Sequence, residues 1–96
     1  MDKTQHLLTI LMEECAEVSQ RASKALRFGL KEQQSELHPP NDERLTYEFA
    51  DLLAVYRCLV DLGLLKTPSP EDLEKKRMKL EEYTKYSQSL GIVDPD

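Results

Sequence analysis

Acidic side chains recur three residues apart at two places in the chain: Glu14 and Glu17, with Glu13 beside them, and Glu48 and Asp51. Carboxylates are hard oxygen donors, suited to holding a divalent cation or to exchanging protons with a reacting group. Residues three apart share one side of a helix, so each pair presents two carboxylates in one direction if its segment is helical. Either pair alone is also the ordinary pattern of a solvated helix face. Their place relative to the apolar residues sets these two apart. Advancing about 100° per residue puts Glu14 among Leu7, Ile10, Leu11 and Val18, with Glu17 at the edge of that stripe and Glu13 flanking it. On the second segment Glu48 falls between Leu45, Leu52, Val55 and Leu59, and Asp51 sits one turn on at the flank.

An ionised carboxylate buried without a partner costs several kcal/mol, comparable with the ~5–15 kcal/mol that stabilises a whole small domain. Four carboxylates converging therefore require positive charge. Arg21 and Lys24 lie on the same side of the first segment as Glu17 and offset part of the cost through salt bridges. A hard cation satisfies the remainder better, because magnesium is held by a few carboxylates and waters and is commonly shared with substrate phosphates. Helical di-iron centres use Glu-x-x-His pairs, and neither motif contains histidine, so oxygen-only ligation points to magnesium, with manganese as a substitute. His6 and His38 are read as surface or boundary side chains.

The elements that position these groups follow from periodicity and punctuation. Three helices and no strand are predicted. The first spans about Lys3 to Phe28 and is closed by Gly29; the second is capped by Asn41 or Asp42 and runs to about Leu62 before Gly63. Between them lies a polar surface loop, with at most a short turn of helix around Glu32 to Glu36, stopped by Pro39 and Pro40. Thr67 to Asp72 reads as a stop and a restart, with Ser69 as N-cap, Pro70 at the first helical position and acids in the first turn. The third helix extends to about Ser89 on a thin apolar side of Leu73, Leu80 and Tyr83, and residues 91–96 are expected to form a loose tail.

Ninety-six residues fit one domain, 1–96, and a charged content of 32% beside 40% hydrophobic suits helices with one buried and one wet face. The formal charge of -5 argues against a general binder of nucleic-acid polymers, which needs a basic excess. No apolar run is long enough to cross a bilayer, and the chain opens on Asp2 and Lys3, so a cytoplasmic, reducing setting is expected. Cys15 and Cys58 have no metal or redox spacing and are expected to be buried free thiols.

Glu13-Glu14-Cys15-Ala16-Glu17 followed by Glu48-Phe49-Ala50-Asp51 resembles the EExxE and ExxD motifs of the MazG-like all-α nucleoside triphosphate pyrophosphohydrolase superfamily. The resemblance continues through Ser23 to Gly29, covers roughly residues 5 to 90, and is weakest in the third helix. It implies that Glu14, Glu17, Glu48 and Asp51 ligate magnesium, that Glu13 orients water, and that a nucleoside triphosphate is split to the monophosphate and pyrophosphate. The gap between the motifs is slightly longer than in the most compact members, within Leu30 to Arg44, a segment that bears on substrate choice. Arg21, Lys24, Arg27, Lys76 and Lys79, with Tyr83, are candidates for contacting substrate phosphates. For Lys76 and Lys79 the alternative is a solvated face with pairs such as Asp72 to Lys76. Phe28, Tyr47 and Tyr56 are available for base stacking, and as readily for a core.

A thin third stripe leaves apolar surface uncovered on the first two helices, so homodimerisation completing a four-helix arrangement, or doubling to a tetramer, is expected. Two other readings stay open. A non-catalytic acidic helical interaction module accounts for the composition and periodicity, with a buried salt-bridge network through Arg21 answering for the inward acids. Phosphoribosyl-ATP pyrophosphohydrolase uses a similar scaffold, and the motifs do not separate it.

Overall fold

A computed structural model describes residues 1–96 as three α-helices without strands: α1 (Lys3–Phe28), α2 (Asn41–Asp61) and α3 (Pro70–Ser89). The chain divides into two compact units, Met1–Lys66, which carries α1 and α2, and Thr67–Asp96, which carries α3. No helix is long and apolar enough to cross a membrane.

A capping box starts α1. Asp2 Oδ1 accepts from the Gln5 backbone N–H at 2.8 Å, while Gln5 Oε1 accepts from the Asp2 N–H at 2.9 Å, satisfying two of the donors a helix start leaves unpaired. The helix stops at Gly29, whose φ of 101° a side chain would strain and whose N–H donates to the Ala25 carbonyl. α2 then runs back antiparallel to α1. At one end Asn41 bonds to Gly29, and at the other Lys3 and Leu7 line a common groove with Cys58, Asp61 and Leu62.

The start of α2 differs from the expected cap. Asn41 is the first helical residue, Pro40 precedes it, and no side chain caps the end. Loop carbonyls serve instead, because Asn41 N–H donates to Glu32 O and Asp42 N–H to Leu30 O. The Asn41 side chain is thereby released to tie the loop down. Its Nδ2 donates to Gly29 O and Glu32 Oε2, both at 2.9 Å, and it is the one buried polar residue. No turn of helix forms around Glu32 to Glu36, where the chain makes bends and turns, with His38 Nδ1 hydrogen-bonded to Ser35 Oγ.

The seam between α1 and α2 holds Leu7, Ile10, Leu11, Val18, Leu45, Leu52 and Val55, all half-buried, while Ala25 and Leu59 are the only buried apolar side chains. Full burial of one Leu contributes about 1.5–3 kcal/mol, against a backbone ordering cost of about 1–2 kcal/mol for each residue, so this seam is far from a complete core. Both cysteines are exposed, contrary to expectation. Cys15 and Cys58 follow and precede the seam residues Glu14 and Leu59, and one step of 100° turns each off the seam. Phe28, Phe49 and Leu62 are likewise exposed.

α3 begins as its sequence dictates, with Ser69 and Asp72 forming a capping box and Pro70 at the first position. No residue of α3 is buried. Because Asp72 is committed to the Ser69 N–H, the ion pairs of this helix run instead from Arg77 to Glu74 and Glu81. Residues 91–96 fold back on the end of α3. Gly91, at φ 73°, lets the chain reverse so that Gly91 N–H donates to Gln88 O and Ile92 N–H to Ser87 O, and Gln88 Nε2 donates to Asp94 O.

Asn41→Ala should lower stability by about 1–3 kcal/mol, the loss of two part-buried hydrogen bonds, one of them to a carboxylate. Lys31→Ala, which removes the exposed bridge to Asp42, should leave the urea midpoint nearly unchanged. Equal midpoints for Asn41→Ala and the parent would show that the clamp carries no load.

Candidate functional site

Halfway along the seam, α1 contributes Glu14 and Glu17 and α2 contributes Glu48, and one carboxylate oxygen from each lies within 4.8 Å of the others. Sequence spacing supplies the first two from adjacent turns of one helix; the antiparallel reversal at Gly29 to Asn41 supplies the third from the opposite side. Glu14 and Glu48 are half-buried, Glu17 is exposed. The inner oxygens, Glu14 Oε2 and Glu48 Oε2, are buried and have no hydrogen-bond partner. Ionised carboxylates only accept, so none of the three can satisfy another. The arrangement needs a proton or a cation.

Glu48 records this pressure. The neighbouring Glu17 carboxyl holds its pKa above the usual 4.5, by hydrogen bonding to the protonated form; burial pushes the same way, as do the charges of Glu17 and Asp51, and Arg21 opposes them. With one carboxylate oxygen from each residue within 4.8 Å of the others, Glu14, Glu17 and Glu48 are the residues that could hold a hard cation between the two helices. The donor set is oxygen only, and the two orphaned oxygens are the groups a cation would satisfy.

The other sequence candidates fall around this centre to different degrees. Asp51 is exposed on α2 and acts on Glu48 through its charge, outside the close trio; Glu13 is exposed on α1. Arg21 and Lys24 are half-buried and line a cleft of about 250 Å³ with Phe28, Glu32, Gln34, Asn41 and Arg44. Arg27 is exposed, its guanidinium 4.9 Å from the centre of the Phe28 ring, over which Lys24 Nζ also sits at 5.9 Å. Lys76, Lys79 and Tyr83 are exposed on α3, in the second unit. Tyr47 is exposed, and the Tyr56 hydroxyl donates to Lys66 O, fixing the chain beyond α2.

Arg44 is the cleft residue that inspection of the motifs overlooks. Its signal is present in the sequence: it precedes Glu48 by four residues, one turn earlier on the same face, as Arg21 follows Glu17 by four. Glu32, Gln34 and Asn41 carry no such signal, because loop closure places them.

Because the folded chain holds the Glu48 proton more tightly than the unfolded chain, stability is gained as pH falls through the range above 4.5 and lost as pH rises through it. Asp42, Asp72 and Glu74, held low by Lys31, Ser69 and Arg77, have the opposite sign, but their contribution is lost only below about their ordinary values of 3.8 to 4.5. In EDTA, Tm should therefore rise as pH falls toward the ordinary carboxylate range, and Glu48→Gln should flatten that rise and raise Tm at neutral pH. A wild-type profile identical to that of Glu48→Gln would show that the crowded carboxylates carry no strain. No family model, curated protein or solved structure matches the chain, so the reading of this site stands on its own residues and geometry.

Proposed function

We propose that the chain is a magnesium-dependent nucleoside triphosphate pyrophosphohydrolase of the MazG-like type, converting a triphosphate to the monophosphate and pyrophosphate. The observation that supports this most is the junction of opposites inside one seam. Carboxylates from two helices converge with two desolvated, unpartnered oxygens, and the next turn of both helices turns cationic.

In this reading Glu14, Glu17 and Glu48 hold magnesium, with Asp51 completing the set from the next turn of α2. The chemistry supplied by the bound ion is neutralisation of phosphate oxygens and a lower pKa for an attacking water. Glu13, exposed beside the ligands, accepts a hydrogen bond from that water and orients it. Attack by water forms a new P–O bond while the phosphoanhydride P–O bond breaks, the leaving pyrophosphate carries the displaced electron pair, and the proton of the water passes to the Glu13 carboxylate and from there to solvent. Arg21 and Lys24 face the phosphates beyond the carboxylates and offset their charge. Helices with hydrogen-bonded ends hold these groups at fixed separation, which transition-state stabilisation requires.

The incomplete seam supports self-association. Leu8, Met12, Phe49 and Leu53 are exposed on α1 and α2, and a second copy covering them gives a four-helix core. Tm should then rise with protein concentration and a dimer or tetramer should dominate in sedimentation equilibrium; a concentration-independent monomer would remove this part of the proposal.

A panel of common nucleoside and deoxynucleoside triphosphates plus phosphoribosyl-ATP, read as pyrophosphate release with magnesium or with EDTA, tests the activity and separates the two substrate classes. Glu48→Gln and Asp51→Asn should each lower kcat by on the order of 10²–10³-fold or more while leaving helicity by circular dichroism intact. Near-normal turnover in both variants, or no magnesium-dependent release from any substrate, would refute the reading.

A further inference from the structure

The cleft one turn beyond the carboxylates has a charge pattern of its own. Three cations, Arg21, Lys24 and Arg44, meet there opposite a single carboxylate, Glu32, in a chain whose net charge is -5. All three are half-buried. Surplus acid is plentiful elsewhere, yet the ion pairs within 4.0 Å in this protein are Lys31 with Asp42 and Arg77 with Glu74 and Glu81. Arg21, Lys24 and Arg44 therefore converge on one cleft with no carboxylate oxygen within 4.0 Å of any of them, and Arg21 acts on Glu48 only through its charge at longer range. Converging unpaired cations repel one another, and an anion placed among them gains charge-assisted hydrogen bonds that the protein itself does not supply.

The remaining polar groups of the cleft are already committed. Asn41 donates both amide hydrogens, to Gly29 O and Glu32 Oε2, and Gln34 Oε1 accepts from Arg44 Nη1 at 3.3 Å. Lys24 and Arg27 sit over the Phe28 ring. Little is left to read the edge of a nucleobase. The volume, about 250 Å³, also lies below the ~300–1,000 Å³ of pockets that enclose a whole small-molecule ligand.

We propose that Arg21, Lys24 and Arg44 form a condensed-phosphate subsite that takes the phosphate chain of the ligand and not its base, with Arg44 the member contributed by α2. Arg44 lies one turn, about 6 Å of helix rise, before Glu48, and Arg21 lies the same rise beyond Glu17, so a phosphate chain running along the seam meets oxygen ligands first and cations next. Arg44, held by Gln34 on the clamped loop, closes the cleft from the side opposite Arg21 and Lys24. The site thus selects by the number of phosphates. Assigning the bound chain to a substrate rests on the pyrophosphohydrolase reading; binding of the anion does not.

Calorimetric titration of the whole protein with inorganic tripolyphosphate, pyrophosphate and phosphate, in EDTA at low salt, tests the subsite without turnover. Tripolyphosphate should bind tightest and phosphate weakest, with affinity falling as salt rises. Arg44→Gln should weaken tripolyphosphate about tenfold and Arg44→Lys less, since lysine keeps the charge but loses the planar fork. Magnesium-induced thermal stabilisation should persist in both variants, which also shows that they are folded. No tripolyphosphate binding by the wild type, or equal affinity in Arg44→Gln, would overturn the subsite even if triphosphates are hydrolysed. Tripolyphosphate binding that depends on Arg44, with no pyrophosphate released from any nucleotide, would keep the subsite and remove the enzymatic reading.

Discussion

Like charges held together in a half-dry seam set the terms for the rest of this protein. Glu14, Glu17 and Glu48 each bring a carboxylate oxygen to within 4.8 Å of the others, and one oxygen of Glu14 and one of Glu48 are buried without a hydrogen-bond partner. Replacing Glu14 or Glu48 by an apolar residue should give a better-packed seam, so the inward carboxylates work against folding. The elements around it are accordingly well punctuated. α1 opens on a capping box, α2 is pinned to the loop before it through Asn41 and its backbone donors, and the chain reverses at glycines that accept positive φ. Local structure fixes the two helices tightly enough for the repulsion between their carboxylates to persist rather than relax by splaying.

Along that seam the sign of the charge alternates by turn. Carboxylates occupy the middle of α1 and α2, and Arg21, Lys24 and Arg44 occupy the next turn toward the loop. In the proposed reading a polyanion bridged by a hard cation would match both rungs at once, with the carboxylates toward the cation and the guanidinium and ammonium groups toward the far end of the anion. The same alternation weakens the reading as a passive interaction module. Such a module gains from pairing Arg21 with Glu17 or Glu48, and no ion pair within 4.0 Å joins them.

The second unit is built on different terms. α3 has a complete start, with Ser69, Pro70 and Asp72, and a closed end at Gly91, but buries none of its residues. What supports it is its capping box and the exposed Arg77 bridges to Glu74 and Glu81, which contribute little in water. Alone these do not hold a helix of this length fully formed in water. That deficit, together with the exposed Leu8, Met12, Phe49 and Leu53 of the first unit, is the physical ground for expecting a second copy.

Much of this was legible in the sequence, because the relevant rules are local. Apolar spacing gave three helices, glycine and proline gave their ends, and rotation at 100° per residue put Glu14 and Glu48 on the inner side. Other features were decided only by tertiary structure. Asn41 looked like a cap and became a clamp, because loop carbonyls reached the α2 donors first. Cys15 and Cys58 were expected inside, and two helices packed along one narrow seam left them outside. Asp51 shares the motif but not the close trio, and the basic cleft joins residues far apart in the chain whose meeting depends on how the loop closes. Periodicity fixes the direction in which a side chain points along its own helix; which group waits opposite depends on the register between helices, and that is set by a turn no single-helix pattern encodes.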